Sequence, residues 1–340
     1  MELIIYFILI TASFYYLSNL VTEKKFFLDK KNTSSHKRAV NKDNVSVLGG
    51  FLILLGILIL DINLYYKLFI TIFFLIGLIF EHKYNIKIYY RFIFQIIIIL
   101  LLLNFFDLEI SKTRIFIIDK LLTYNFFNII FTLFCLLILI NGSNFIDGIN
   151  LNSSGYFLSI FLSIFLFLNN FNLLLNDVSL IILILTIFSF CILNFLNKVY
   201  LGDGGIYAIS LFTGLFLIEF SNTNSAVSPF LIVLFLWYPA FENLFSIVRK
   251  LEVNKSPLKP DNKHLHHLIY FFLKRKFKLK SKFVYLNIAG LMITLYNLLT
   301  FCIGAKYSYN TQLLIFLVIF NIAVYLIVYF KIIGNFKAYN

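Results

Sequence analysis

The chain is written in long apolar runs separated by short polar stretches. Eleven runs stand out, at about 2–21, 46–63, 66–82, 89–106, 127–141, 155–170, 177–195, 203–220, 227–246, 282–303 and 310–334. A bilayer core takes about 20 consecutive apolar residues per helix. In lipid only helices and closed barrels satisfy every backbone polar group. Barrel strands alternate apolar and polar positions, and these runs do not. The pattern predicts an all-α, polytopic transmembrane protein with about eleven spans, forming one domain over residues 1–340. The first run lacks a basic start and a small-residue cleavage site, so it is expected to be a retained span and not a signal peptide.

Composition agrees. Of 340 residues, 61% are hydrophobic, 19% aromatic and only 13% charged, which excludes a soluble globular chain. Cys135, Cys191 and Cys302 all fall inside apolar runs, which argues against a disulfide framework or a cysteine metal site.

Charge sets the expected orientation. Counting loops from the first span, the odd loops and the C-terminal tail carry 24 of the 29 Lys and Arg residues, and the even loops carry 5. The positive-inside rule then places the N-terminus outside, with the C-terminus and odd loops in the cytoplasm. A basic cytoplasmic loop is expected at about 247–281. The net charge of +13 follows from this bias and from anionic lipid at the inner leaflet, so no nucleic-acid partner is invoked.

The unusual polar residues fall on the same side. His36 and Lys37 lie in the first loop, Glu81 and His82 open the third, and Asn141, Asn144, Asp147 and Asn150 occupy the fifth. Asn194 and Asp203 belong to the seventh, and Glu242 to His267 fill the ninth. Acids at span ends are costly unless paired, hydrated or bound to a cation. Converging acids with substrate phosphates are how Mg²⁺ is usually held, and neighbouring glycines let a ligand approach the backbone. Singly, each feature has a plainer reading: an Asp at a span end is most often a cap, Gly-Asp-Gly a turn, HLHH a surface patch. Their common side favours a phosphate and metal site at the cytoplasmic surface. A transporter stays open as a second class, although no internal repeat is found and the acids sit at span ends rather than at mid-membrane.

Five stretches together resemble the polyprenyl-phosphate N-acetylhexosamine-1-phosphate transferases of glycosyltransferase family 4. These share a superfamily with phospho-N-acetylmuramoyl-pentapeptide translocase. The first stretch is Asp29, His36 and Lys37, followed by Val45-Ser46 (usually Thr-Pro) and then Gly49-Gly50. The second is Glu81, Arg91 and Gln95, with His82 where the family has a second acid. The third is Asn141, Asn144, Asp147, Gly148 and Asn150, with Leu151 in place of the usual Gly. The fourth is Asn194 followed by YLGDGG with Asp203, and the fifth is the long-loop HLHH with His264, His266 and His267.

The resemblance implies transfer of a sugar-1-phosphate from a UDP-N-acetylhexosamine to polyprenyl phosphate, with release of UMP. The setting implied is the cytoplasmic face of a bacterial inner membrane, at the start of envelope-glycan synthesis. It implies Mg²⁺, with Mn²⁺ as a substitute. By the same resemblance Asp203 and Asp147 would be metal ligands, and Glu81, Asn144, Asp147 and Asp203 catalytic. Lys37, Gly148, Ile149, Asn150, Asn194, Tyr200, His264, His266 and His267 would bind substrate. The muramoyl-pentapeptide branch and a non-catalytic relative, prompted by His82, remain as alternatives. Membrane lipid is the expected surrounding, and Gly49, Gly50 and Gly56 would allow close helix contact, including in a homodimer.

Overall fold

All eleven predicted runs coincide with helices in the computed structural model, which describes residues 1–24, 45–82, 88–168, 170–254, 256, 262–277 and 281–337. In chain order the helices are α1 (Glu2–Glu23), α2 (Gly49–Ile59), α3 (Leu64–His82), α4 (Ile88–Phe106), α5 (Phe116–Leu122), α6 (Asn125–Ile146) and α7 (Asn152–Phe167). They continue with α8 (Asp177–Phe195), α9 (Gly202–Thr223), α10 (Pro229–Glu252), α11 (Leu265–Lys276), α12 (Lys282–Lys306) and α13 (Thr311–Lys337). Among the described residues nine helices are long and apolar enough to cross a membrane, and α2 and α7 are shorter apolar helices. This is an integral membrane protein of all-α class. The described residues hold no strand, only a single parallel bridge between Ser46 and Val199.

α9 is the hub. About 89% of its apolar window is buried, against 11% for α1, which leans on α8 and leaves most of its surface outward. α9 packs on α2, α3 and α6. Close approach to α3 depends on glycine, because a methyl group at Gly77 would overlap the backbone of Gly204. Gly49, Gly50 and Gly56 are spent in the same way against Phe190, Gly205 and Thr186 of this chain, so they offer no dimer contact.

Many hydroxyls inside the spans are satisfied locally, as lipid favours. Hydroxyls of Thr71, Ser159, Thr186, Ser189, Ser210 and Thr213 donate to the carbonyl four residues back. Pro239 lies inside α10 and has no N–H to offer the carbonyl of Phe235. The Tyr156 hydroxyl, from α7, donates to that carbonyl instead.

The remaining polar contacts sort onto two ends. At one end Lys198 meets Asn19, Tyr200 N–H meets Ser46 O, and Arg91 meets Asp203. At the other, Arg114 meets Ala226 O and Thr311, Asn222 meets Glu109 O, and Asn224 meets Asn172 O. Odd loops meet odd loops and even loops meet even, as alternating crossings demand.

Several boundaries differ from expectation. Asn141 and Asn144 lie on the last turns of α6, not in a loop. The Asn141 amide stays helical because it donates to Leu137 O and to Gln95 Oε1. Asp203 sits in the first turn of α9, and Glu242 lies within α10. The basic loop expected over 247–281 is shorter, because α10 runs on to Glu252 and residues 265–276 form α11. Helix α5, in an even loop, was not expected.

Candidate active site

The end that gathers the odd loops holds a cleft of about 440 Å³, open to solvent. Glu81, Asp147, Gly148, Ile149, Asn150, Asn194 and Tyr200 line it, with Val47, Leu201 and Gly202. Seven of the thirteen predicted site residues thus share one wall system, although they come from α3, the α6–α7 turn, α8 and the segment before α9.

Glu81 is set by the last turn of α3 against the first turn of α9. Its Oε2 accepts the backbone N–H of Asp203 at 3.2 Å. Gly202 makes this possible on two counts. Its φ of +69° suits glycine, and a Cβ there would lie 2.6 Å from Glu81 Oε2. The Asp203 side chain turns to Arg91 of α4, with Oδ2 3.3 Å from Nη1. The two side chains are 18% and 21% exposed, so the pair borders solvent and is not a buried ion pair. Arg91 belongs to the second motif, and its pairing with Asp203 ties that motif to the fourth.

Asp147 ends α6, and Ser153 donates its hydroxyl to Asp147 Oδ1. The turn that follows places Leu151 at φ +65°. This left-handed position accounts for the glycine usual there in the family that the sequence resembles. Asn194 holds the turn: its Oδ1 accepts Leu151 N–H at 2.8 Å, and its Nδ2 donates to Val199 O at 2.9 Å. Asn150 Nδ2 donates to Asn197 Oδ1 at 2.6 Å and to Asn287 Oδ1 at 2.8 Å. Both asparagines therefore shape the cleft through the loops they tie. Asn287, from α12, could not be anticipated, since it lies 137 positions from Asn150.

The histidines stand behind Gly148. A methyl at Gly148 would overlap His266 Nε2 and lie 2.9 Å from His267 Nε2. The rings stack in sequence: Phe145 on His264 at 5.6 Å, then His264 on His266 at 5.7 Å. The buried Lys250 places Nζ 5.7 Å from the Phe145 ring centre. His266 is fully buried, and neither of its ring nitrogens has a hydrogen-bond partner among the described residues. Burial, followed by the neighbouring His267 and His264, holds its pKa well below the ordinary 6.5. Lys37, with Asp29 and His36, lies outside the described residues, as does the His82 side chain.

The donor set suits a hard cation. Glu81 and Asp147 line one cleft, while Asp203, its Oδ2 engaged by Arg91, is next to the lining residue Gly202 and is not itself among the lining residues. Among the described residues no three acids or histidines close into a cage. That fits Mg²⁺, which typically takes one or two carboxylates and completes its shell with water and phosphate.

The glycosyl transferase family 4 model matches residues 63–221, the stretch that carries Glu81, Asp147, Asn194 and Asp203. Over that stretch, a little under half of its length, the chain is similar to glycosyltransferase family 4. Among similar proteins, the undecaprenyl-phosphate alpha-N-acetylglucosaminyl 1-phosphate transferase of Thermotoga maritima is 28% identical over 260 residues, covering 74% of this chain and 75% of that one. The protein of the same name from Salmonella typhi is 24% identical over 331 residues, covering 94% and 87%. The decaprenyl-phosphate N-acetylglucosaminephosphotransferase of Mycolicibacterium smegmatis is 30% identical over 169 residues, covering 41% and 40%.

Proposed function

We propose that this chain transfers N-acetylglucosamine-1-phosphate from its UDP-sugar to a polyprenyl phosphate at the cytoplasmic face of a bacterial inner membrane. The observation that carries the reading is the convergence of Glu81, Asp147 and Gly148 on one cleft, with the histidine stack directly behind Gly148. The names of these similar proteins favour the N-acetylglucosamine donor over the muramoyl-pentapeptide one.

In the reaction an oxygen of polyprenyl phosphate attacks the β-phosphorus of the donor. The bond from that phosphorus to the oxygen bridging the α-phosphate breaks, and UMP leaves with the electron pair. Two anions must be brought together and developing charge neutralised, so placement and electrostatics dominate. Asp203 and Asp147 would hold Mg²⁺, or Mn²⁺ in its place, which supplies charge neutralisation on the diphosphate. Glu81, at the membrane end of α3, would orient the lipid phosphate; that phosphate is already largely ionised at neutral pH. Gly148 and Ile149 would offer backbone to the nucleotide, Tyr200 a ring face, and the histidines ring N–H groups to the diphosphate.

Purified protein with polyprenyl phosphate, Mg²⁺ and a panel of UDP-sugars tests the reading. UMP release with UDP-N-acetylglucosamine, abolished by EDTA, is expected. UMP release only with another donor would overturn the sugar assignment, and no release with any donor would overturn the enzyme reading.

A further inference from the structure

Glu242 is the only acid classed as buried among the described residues, and it is fully buried. A carboxylate in such a place must be compensated. Three donors converge on it from distant parts of the chain. His264 Nδ1 is 2.9 Å from Oε1, the Tyr325 hydroxyl is 2.8 Å from Oε2, and the Leu265 N–H is 3.4 Å from Oε2. Glu242 thus joins α10, the start of α11 and α13.

The carboxylate accepts hydrogen bonds, so His264 Nδ1 carries the proton. Nε2 is then the ring nitrogen turned away from Glu242. His264 in turn stacks flat on His266, at an interplanar angle of 5°. His266, with two buried nitrogens that lack partners among the described residues, lies against Gly148 at the cleft wall. An unsatisfied buried ring beside the cleft points to a ligand that completes it.

We infer that Glu242, braced by Tyr325, is a positioning residue that fixes the tautomer and tilt of His264, and through it the histidine face offered to the donor diphosphate. The inference rests on the transfer reading above. It adds a residue that touches no substrate and stands within an apolar span. Groups that orient a functional histidine from behind are commonly worth about 10-fold or more in affinity or activity.

The test uses the full-length protein in detergent with Glu242→Gln and Tyr325→Phe. Calorimetric Kd for UDP-N-acetylglucosamine, KM for donor and for polyprenyl phosphate, and ¹⁵N spectra of labelled histidine are measured. In Glu242→Gln the donor Kd and KM should rise about 10-fold, the lipid KM should hold, and one Nδ1–H histidine signal should change. Tyr325→Phe, which leaves the carboxylate in place, should show a smaller donor effect of about 3-fold. An unchanged histidine signal in Glu242→Gln, or equal rises in both KM values in both variants, overturns the inference. Wild-type protein that binds UDP-sugar without turnover overturns the transfer reading alone, since Kd and the ¹⁵N signal still report on Glu242.

Discussion

Glu81 Oε2 accepts the backbone N–H of Asp203 at 3.2 Å, and this bond joins the end of α3 to the start of α9. It places two motifs 122 positions apart at the same cleft. Asp203→Asn should keep the fold and lower turnover by about 100-fold or more, the scale of losing one well-placed electrostatic group. Steady-state kinetics alongside circular dichroism checks this; near-normal turnover would remove Asp203 from the site. Gly202→Ala should also fail, because its methyl would meet the Glu81 carboxylate and its φ of +69° resists an L side chain.

Gly148→Ala should separate the histidine stack from the cleft, since the added methyl overlaps His266 and crowds His267. Donor affinity should fall at least about 10-fold, with the acceptor KM little changed. Retained donor affinity would show that the histidines do not reach the donor past this glycine.

The spans were legible because apolar residues fill every face of each run. The cleft was largely legible too, since Asp147, Gly148, Asn194 and Asp203 sit in recognisable spacings. Helix ends were not. Asn141 looks like a loop residue, yet its amide is satisfied by Leu137 O and Gln95, so the helix continues. Glu242 looked like the start of a loop for a similar reason. Its partners are 22, 23 and 83 positions away, and no local pattern announces a donor at Tyr325.

His266 gives a pH signature. Its folded pKa lies well below 6.5 because burial disfavours the charged ring. Between those two values the unfolded state binds more protons, so stability is full above about pH 6.5 and falls as pH drops through that window. Thermal denaturation in detergent from pH 7.5 to 5 should show the decline, and His266→Phe should flatten it. Binding of UDP-sugar should be accompanied by proton uptake, visible as a buffer-dependent calorimetric enthalpy. Identical enthalpies across buffers would contradict a diphosphate at this ring.

Leu151 tests two opposing effects. Its left-handed backbone costs about 1–2 kcal/mol, which glycine would relieve. Its buried side chain contributes about 2–5 kcal/mol of packing, which glycine would lose. Packing should win, so Leu151→Gly should lower the melting temperature. A rise would mean the backbone term dominates.

Tyr156 and Pro239 form a thermodynamic pair. Tyr156→Phe strips the Phe235 carbonyl of its donor and should cost about 1–3 kcal/mol. In a Pro239→Ala background the restored N–H serves that carbonyl, so the same change should cost clearly less. A double-mutant cycle with no coupling would refute the exchange.

In the proposed reaction phosphate travels with the sugar. UDP-N-acetylglucosamine labelled with ³²P at the β-phosphorus, incubated with the protein, Mg²⁺ and undecaprenyl phosphate, reads this directly. ³²P is expected in the organic extract as a lipid diphosphate sugar, with unlabelled UMP in the aqueous phase. Label retained in water-soluble UDP while sugar enters the lipid would mean simple glycosyl transfer, and would contradict sugar-1-phosphate transfer.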